Sequence, residues 1–133
     1  MQIHIRDIDT KDAAVWERLR RDLWPDGAAD HAGEIQSFFE STLEEPVAVM
    51  VAENPAGEIV AFSELSIRGD VAGLEGQRVG YVEGLYVVPK ARHMGIARLL
   101  LRAAHEWARR QQCAAFASDR AGRILVDKHY ECA

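Results

Sequence analysis

The sequence predicts an α/β or α+β domain in which helices cover the faces of one sheet. Three observations lead to this fold class. Short runs rich in Val, Ile and Tyr are bounded by Gly, Pro and Asn; three stretches repeat apolar residues at helical spacing; and the two kinds of element are interspersed along the chain. The 133 residues suffice for one core but not two, so residues 1–133 are predicted to form a single domain.

The individual elements follow from periodicity and from turn residues. Alternating apolar residues predict a strand, apolar residues three and four apart predict a helix, and Pro or Gly clusters end both. The predicted elements are a strand at 2–7, a helix capped by Thr10 and ended by Trp24-Pro25-Asp26-Gly27, a helix at 29–43, strands at 47–52 and 59–67 forming a hairpin, a loop at 68–77, a strand at 79–88, a helix at 96–110, a short strand at 114–117 and a last helix at 121–130. The strand at 79–88 is partly apolar on both faces, which predicts a central position.

Composition excludes several classes of protein. Hydrophobic residues make up 48% and charged residues 28%, as in ordinary globular proteins, and no apolar run approaches the roughly 20 residues of a membrane helix. The N-terminus has no signal-peptide pattern. Cys113 and Cys132 do not form a disulfide framework or a cysteine zinc site, and Cys113 is expected in the core. The histidines have no shared metal spacing, so no metal is predicted, and a cytoplasmic location is expected.

Charge is distributed unevenly along the chain. Residues 1–87 hold 17 acidic and 7 basic side chains, whereas residues 88–133 hold 4 acidic and 9 basic ones. An acidic portion attracts cations and a basic portion attracts phosphates. One domain with both could therefore bind a polyanionic cofactor at one end and a cationic substrate at the other. The alternative is that these are solvated faces balanced within the fold.

The most informative stretch runs from the central strand, through a loop, into the start of the long helix. Gly95 lets the backbone approach a ligand closely, and the first amides of the helix have no internal partner. These features predict a pyrophosphate site, to which Arg92 and Arg98 add charge. The stretch has neither the Gly-Lys-Ser/Thr ending of a P-loop nor a Gly-x-Gly-x-x-Gly dinucleotide motif.

Arg92-His93-Met94-Gly95-Ile96-Ala97 resembles the Arg/Gln-x-x-Gly-x-Gly/Ala signature of the GNAT acetyltransferase superfamily, and the element order of residues 1–117 matches as well. The resemblance implies the GNAT fold, with a mixed, mostly antiparallel central sheet, and acetyl-CoA as co-substrate. The residues that it implies for the acetyl-pantetheine end are Leu85, Tyr86 and Val87. Those that it implies for the phosphates are His93, Met94, Gly95, Ile96, Ala97 and Arg98.

Shorter matches, spread up to about residue 119, resemble the aminoglycoside 6′-N-acetyltransferases. They are Leu23-Trp24-Pro25, Ser66-Ile67-Arg68, Val82-Glu83-Gly84-Leu85-Tyr86-Val87 and Ala117-Ser118-Asp119. The resemblance implies that Trp24, Glu83 and Asp119 contact an aminoglycoside, whose 6′-amine receives the acetyl group. A peptide, nucleic-acid or membrane partner is not expected. Two alternatives stay open: acetylation of another small amine, such as a polyamine or amino sugar, and a module that binds acetyl-CoA without catalysis.

The candidate catalytic residues are Glu83 and Asp119. The protonated amine must lose a proton before it attacks the thioester, and either carboxylate, or a bound water, could accept it. Gly84 predicts a bulge beside Glu83, with the Leu85 amide placed to polarise the thioester carbonyl. The structural alternatives are a salt bridge for Glu83, a helix cap for Asp119 and a hydrophobic plug for Trp24, which otherwise suits stacking on a sugar ring.

The sequence departs from the family pattern after the last strand. GNAT domains usually continue with two more strands, and these are expected to be missing or altered here, through a truncation or a changed reading frame. A bare sheet edge would then favour a homodimer, which the family resemblance also implies. Tyr130 is a candidate general acid in poorly matching surroundings. Val71 stands where relatives often place a substrate-side tyrosine, so aminoglycoside preference is expected to differ.

Overall fold

The computed structural model of the protein describes residues 2–27, 30–43, 45–120 and 123–127. Strands and helices follow the predicted order up to the C-terminal stretch. The strands are β1 (His4–Asp7), β2 (Ala48–Glu53), β3 (Ile59–Arg68), β4 (Val79–Val87), β5 (Ala115–Arg120) and β6 (Arg123–Asp127), and the helices are α1 (Ala13–Leu23), α2 (His31–Phe39) and α3 (Ile96–Arg110).

The strands form one mixed sheet in the order β1-β2-β3-β4-β5-β6. Neighbours are antiparallel except β4 and β5, which run parallel and are joined through α3. A parallel pair needs such a crossover, because its connection must return to the starting end of the sheet. The predicted hairpin of β2 and β3 and the predicted central position of β4 are both confirmed.

Two separate cores cover the two faces of the sheet. On one face, Trp16 and Leu19 of α1 and Ile35 of α2 pack on Val51 and Phe62. On the other face, the apolar stripe of α3 packs on β2, β3 and β4. Each fully buried side chain of this kind contributes about 1.5–3 kcal/mol to folding. The helices thus leave the C-terminal half of β4, between α1 and the start of α3, as the place where a site can form.

The loop between β3 and β4 adds a third, smaller core. Val71 and Leu74 are buried against Val79 and Tyr81 of β4 and against the alanines of β5. The stretch predicted as a loop is therefore irregular in backbone but packed in its side chains. It packs on β4 and β5.

Two predictions for the chain's ends need correction. Thr10 was expected to cap the first helix, but Asp9 caps a short 3-10 turn over Thr10–Asp12, with Asp12 bonding back to the Asp9 amide. The helix expected at 121–130 is also wrong, because residues 123–127 form β6, antiparallel to β5. Three consecutive apolar residues, two of them β-branched, favour a strand over a helix with one apolar stripe. The edge of β5 is thus covered, which removes the bare-edge argument for a dimer.

Candidate active site

Strand β4 carries an irregularity at the point where the sequence predicted a bulge. Its register against β3 shifts between Glu64 and Leu65, which pair with Gly84 and Val82, so Glu83 is the extra residue. A bulge bends the strand and leaves its extra residue outside the ladder. The predicted bulge is therefore confirmed, and it displays Glu83 at the middle of the sheet.

Strands β4 and β5 separate at this bulge. Their parallel pairing runs from Val79 with Ala115 to Val82 with Ser118. In the described part of the chain, residues 84–87 continue the ladder with β3 alone. One edge of β4 is consequently open over the residues expected to meet the acetyl-pantetheine end.

The connection from β4 to α3 has an unusual backbone. His93 and Gly95 adopt positive φ values of 66° and 80°, and Gly95 is the N-cap of α3. The first intrahelical bond runs from the Leu99 amide to the Gly95 carbonyl, at 3.2 Å. The amides of residues 96–98 therefore lack partners within the helix and lie at the positive end of its dipole.

These amides lie at a pocket of about 480 Å³ between the end of β4 and the start of α3. Its lining residues are Val87, Ala91, Arg92, His93, Gly95, Ile96, Ala97, Arg98 and Leu101. Of the nine residues implied for the cofactor, the structure brings six to this pocket. Leu85 and Tyr86 lie further back along β4, and Met94 points outward with 46% of its surface exposed.

The residues of this pocket fit a diphosphate. A Cβ on Gly95 would meet no protein atom within 4 Å, so the space beside this glycine is free for a ligand. Arg92 is fixed at the rim, because its Nε donates to the Val87 carbonyl at 2.8 Å and its guanidinium lies 5.4 Å from the ring centroid of Tyr86. Arg98 lines the same pocket. Free amides and two guanidinium groups around an open space are a suitable set of donors for phosphate oxygens.

The Glu83 carboxylate is held by an arginine on the neighbouring strand. Arg68 donates to both of its oxygens, through Nε at 2.7 Å and through a terminal nitrogen at 2.6 Å. The guanidinium also lies 4.4 Å from the ring centroid of Tyr81. Glu83 thus makes the salt bridge that was the structural alternative for it, and its hydrogen bond raises the pKa of Arg68.

A second carboxylate shares this arginine. Glu45, just before β2, lies 3.5 Å from Arg68. Burial, and next the negative charge of Glu83, raise the pKa of Glu45. Because Glu45 and Glu83 compete for a single guanidinium, the surface at the bulge of β4 has an excess of negative charge that a cationic ligand can neutralise.

Trp24 lies over the bulge. Its Cη2 and Cζ2 atoms are so close to the sheet that a Cβ on Gly84 would approach them to 2.6 and 2.7 Å. The ring is half-buried, and the guanidinium of Arg20 lies 5.3 Å from its centroid. The structure therefore places Trp24 over the residue that follows Glu83, and a glycine is needed where the indole meets the strand.

Other residues near the site have structural surroundings. Val71 is a core residue, 4% exposed. Asp30 caps α2 by accepting from the Gly33 amide, and Glu34 lies 3.3 Å from Arg20, so both have structural partners. The backbone of Asp119 belongs to β5, beside Ser118 at the end of the β4 ladder; its carboxylate and Tyr130 lie outside what the structure describes.

Sequence reasoning missed a buried ion pair. Glu64, in the middle of β3, is 1% exposed and accepts hydrogen bonds from Arg20 and Trp16. The signal was a lone carboxylate in the apolar run of β3, since buried charges need a partner. In residues 2–27, 30–43, 45–120 and 123–127, no group of three or more His, Cys, Asp or Glu residues could hold a metal ion. None of the helices described is long and apolar enough to cross a membrane.

Comparison with known proteins identifies the class to which this fold and site belong. The model of the acetyltransferase (GNAT) family matches residues 14–124, and the chain belongs to this family. Among its relatives, the aminoglycoside N(6′)-acetyltransferase type 1 of Klebsiella aerogenes is 42% identical over 116 residues, or 86% of this chain and 76% of that enzyme. The enzyme of the same name from Stenotrophomonas maltophilia is 40% identical, over 86% and 73% of the two chains.

Solved structures agree with this assignment. The structure of AAC(6′)-Iy in complex with a bisubstrate analogue, CoA-S-monomethyl-acetylneamine, superposes with a TM-score of 0.79 and 29% identity, over 91% of this chain and 81% of that one. AAC(6′)-Ih from Acinetobacter baumannii gives a TM-score of 0.78 and 30% identity, over 90% and 80%. The predicted GNAT fold and the resemblance to aminoglycoside 6′-N-acetyltransferases are confirmed.

Proposed function

We propose that the protein transfers the acetyl group of acetyl-CoA to the 6′-amine of aminoglycosides and so confers resistance to them. The observation that carries this proposal is the arrangement along β4. An anion pocket lies at one end of the strand, an open strand edge continues from it, and an indole and two carboxylates lie at the bulge. The enzymes named above, with their acetylation of aminoglycosides, support the same activity for this chain.

The pocket residues bind and orient the co-substrate. The amides of residues 96–98, with Arg92 and Arg98, hold the diphosphate, and the open edge of β4 over residues 85–87 pairs with the pantetheine arm. Acetyl-CoA supplies an activated thioester. A fixed position for this thioester converts a bimolecular reaction into an effectively unimolecular one. His93 and Gly95 turn the loop so that the amides face the phosphates.

The acceptor binds at the bulge of β4, beside the two carboxylates. Trp24 provides a flat apolar surface for a sugar ring, and the carboxylates of Glu83 and Glu45 attract its ammonium groups. The neutral 6′-nitrogen attacks the thioester carbonyl, a C–N bond forms as the C–S bond breaks, and the CoA sulfur leaves. The Leu85 amide stabilises negative charge on the carbonyl oxygen during the attack.

Three acceptors remain for the proton of the amine: Glu83, Asp119 and a bound water. Glu83 lies at the bulge, where both of its oxygens accept from Arg68. An incoming ammonium group can replace the guanidinium. Asp119 lies on the neighbouring strand, one residue past the end of the β4–β5 ladder, and is the second candidate.

A panel of acceptors tests the activity. We expect release of the CoA thiol with aminoglycosides that carry a 6′-amine, and none with matched compounds that carry a 6′-hydroxyl. NMR of the product should show an amide at the 6′-nitrogen. Turnover only with polyamines or simple amino sugars would instead support the alternative that the enzyme acetylates another small amine. Stabilisation by acetyl-CoA without turnover on any amine would indicate a binding module.

A pair of variants separates the candidate bases. If Glu83 is the base, Glu83→Gln lowers kcat by about 10²–10⁴-fold and removes the acidic limb of the pH–rate profile, whereas Asp119→Asn changes mainly the KM for the aminoglycoside. The reverse pattern would assign the proton to Asp119. If both variants keep the acidic limb of the pH–rate profile, the bound water is the remaining candidate for the proton acceptor.

We also propose a homodimer in the cytoplasm, with residues 1–133 acting as one domain. The family resemblance supports the dimer, and dependence on acetyl-CoA supports the location. Light scattering should give twice the chain mass of 14.8 kDa. A mass equal to that of one chain at micromolar concentration would contradict the dimer.

A further inference from the structure

A network of buried polar groups connects the core to Trp24. It starts at the Glu64 carboxylate, which accepts from Trp16 Nε1 at 2.9 Å and from Arg20 Nε and Nη2 at 2.6 and 3.1 Å. Arg20 and Glu64 are 5% and 1% exposed. A buried charge with this many short hydrogen bonds has little freedom to move. The guanidinium of Arg20, which belongs to α1, is therefore held in a fixed position between this helix and the sheet.

His31 extends this network to the backbone of Trp24. Its Nδ1 lies 3.3 Å from Nη1 of Arg20, and its Nε2 lies 3.3 Å from the Trp24 carbonyl oxygen. Arginine only donates and a carbonyl only accepts, so both contacts are hydrogen bonds only for the neutral tautomer with its proton on Nε2. The imidazole is 5% exposed and bridges the start of α2 to the end of α1.

Trp24 is consequently held on several sides. It follows the last residue of α1, where its amide donates to the Arg20 carbonyl at 2.8 Å while its own carbonyl accepts from His31. The Arg20 guanidinium lies 5.3 Å from the ring centroid, and the far edge of the ring lies over Gly84. A residue just past a helix end ordinarily frays, but these contacts favour one position of the indole, over Gly84 at the bulge.

We propose that His31 and Arg20 are positioning residues, which act through Trp24 to present a preformed stacking surface to the acceptor. This inference rests on the proposed function. Fixing the indole before the substrate arrives avoids the cost of immobilising it during binding. For one side chain, this saving corresponds to about two- to tenfold in affinity.

Two substitutions at one position test the bridge. His31→Leu removes both hydrogen bonds, whereas His31→Gln retains an acceptor for Arg20 and a donor for the Trp24 carbonyl. We expect His31→Leu to raise the KM for a 6′-amino aminoglycoside by about two- to tenfold, with kcat and the KM for acetyl-CoA unchanged. His31→Gln should restore most of the lost affinity. Equal rises in both KM values would show a general structural defect and overturn the proposal.

A double-mutant cycle shows whether His31 acts through Trp24. In a Trp24→Ala background the indole is gone, so His31→Leu should have no further effect on the KM for the aminoglycoside. The same fold-change in both backgrounds would overturn the proposal.

A third measurement does not depend on activity. With 5-fluorotryptophan in the protein, Trp24→Phe assigns the Trp24 resonance, and His31→Leu should shift and broaden that resonance while that of Trp107, in the core on the other face of the sheet, stays in place. An unchanged Trp24 resonance would refute the positioning role even in an active enzyme. Lack of aminoglycoside turnover by the unmodified protein, with the resonance responding as expected, would refute the proposed function and leave the network intact.

Discussion

Replacing Gly84 with alanine would drive a methyl group into the indole of Trp24. The new Cβ would lie 2.6 Å from Cη2 and 3.2 Å from Leu23 Cδ2, whereas ordinary contacts are 3.4–4 Å. The ring must therefore retreat by about 1 Å from β4. Because Trp24 is half-buried, it can move at a modest cost of about 1 kcal/mol in stability, at the lower end for overpacking.

The expected consequence is a selective loss of acceptor binding. A displaced stacking surface should cost about 1 kcal/mol, or roughly five- to tenfold in the KM for a 6′-amino aminoglycoside. The KM for acetyl-CoA should change less than the KM for the aminoglycoside, because Gly84 does not line the phosphate pocket at the start of α3. Steady-state kinetics with each substrate varied in turn, together with a thermal melt, provide the measurement.

Gly80→Ala is the matched control, because its Cβ would approach Ala108 Cβ to the same 2.6 Å. Ala108 is fully buried on α3 and cannot swing away, so this variant should lose about 1–3 kcal/mol of stability and about 4 °C in Tm for each kcal/mol. Its KM for the aminoglycoside should stay normal at temperatures where it is folded. An unchanged KM in Gly84→Ala, or identical profiles for both variants, would refute the reasoning.

Three further predictions concern charged groups. Glu64→Leu leaves the buried Arg20 without its closest carboxylate and should destabilise the fold by about 3–5 kcal/mol, whereas adding Arg20→Met should recover most of the loss in a urea melt. The hydrogen bonds from Arg6 lower the pKa of Asp12 below its ordinary value of 3.8, so the ionised carboxylate stabilises the fold above pH 3.8. The difference in the free energy of unfolding between the unmodified protein and Asp12→Asn should therefore shrink as the pH falls below 3.8. Burial raises the pKa of Glu45, so its ionised form opposes folding near neutral pH. Glu45→Gln should therefore raise Tm at pH 7, and this gain should disappear below the ordinary pKa of 4.5. A lower Tm of the variant at pH 7 would show that the ion pair with Arg68 outweighs the cost of burial.

Local sequence patterns were enough to predict the elements that form the pocket. The turn at Gly95 and the apolar stripe of α3 are local features, because both depend only on residues that are close together in the sequence. The bulge at Gly84 was also predicted, since an isolated glycine in a strand marks an irregularity or a close approach. Here it marks both.

Contacts between distant residues were not predictable in the same way. The Arg68–Glu83 pair depends on the register of β3 against β4, and the Arg20–Glu64 pair depends on how α1 packs on the sheet. Sequence spacing does not fix either. The error over β6 had a different cause: residues 123–127 were assigned to a helix although their consecutive apolar residues gave no helical stripe.

Calorimetry of CoA binding to Gly95→Ala tests the anion pocket most directly, with Gly57→Ala as the matched control. Both glycines have positive φ, 80° and 84°, and open space around a new Cβ, so both variants should lose about 1–2 kcal/mol of stability through backbone strain. Only Gly95 lies at the pocket, where the added methyl would hold the diphosphate away from the amides. We predict at least a tenfold weaker Kd for Gly95→Ala alone, corresponding to the loss of about one charge-assisted hydrogen bond. Equal affinities in both variants and the unmodified protein would contradict the account.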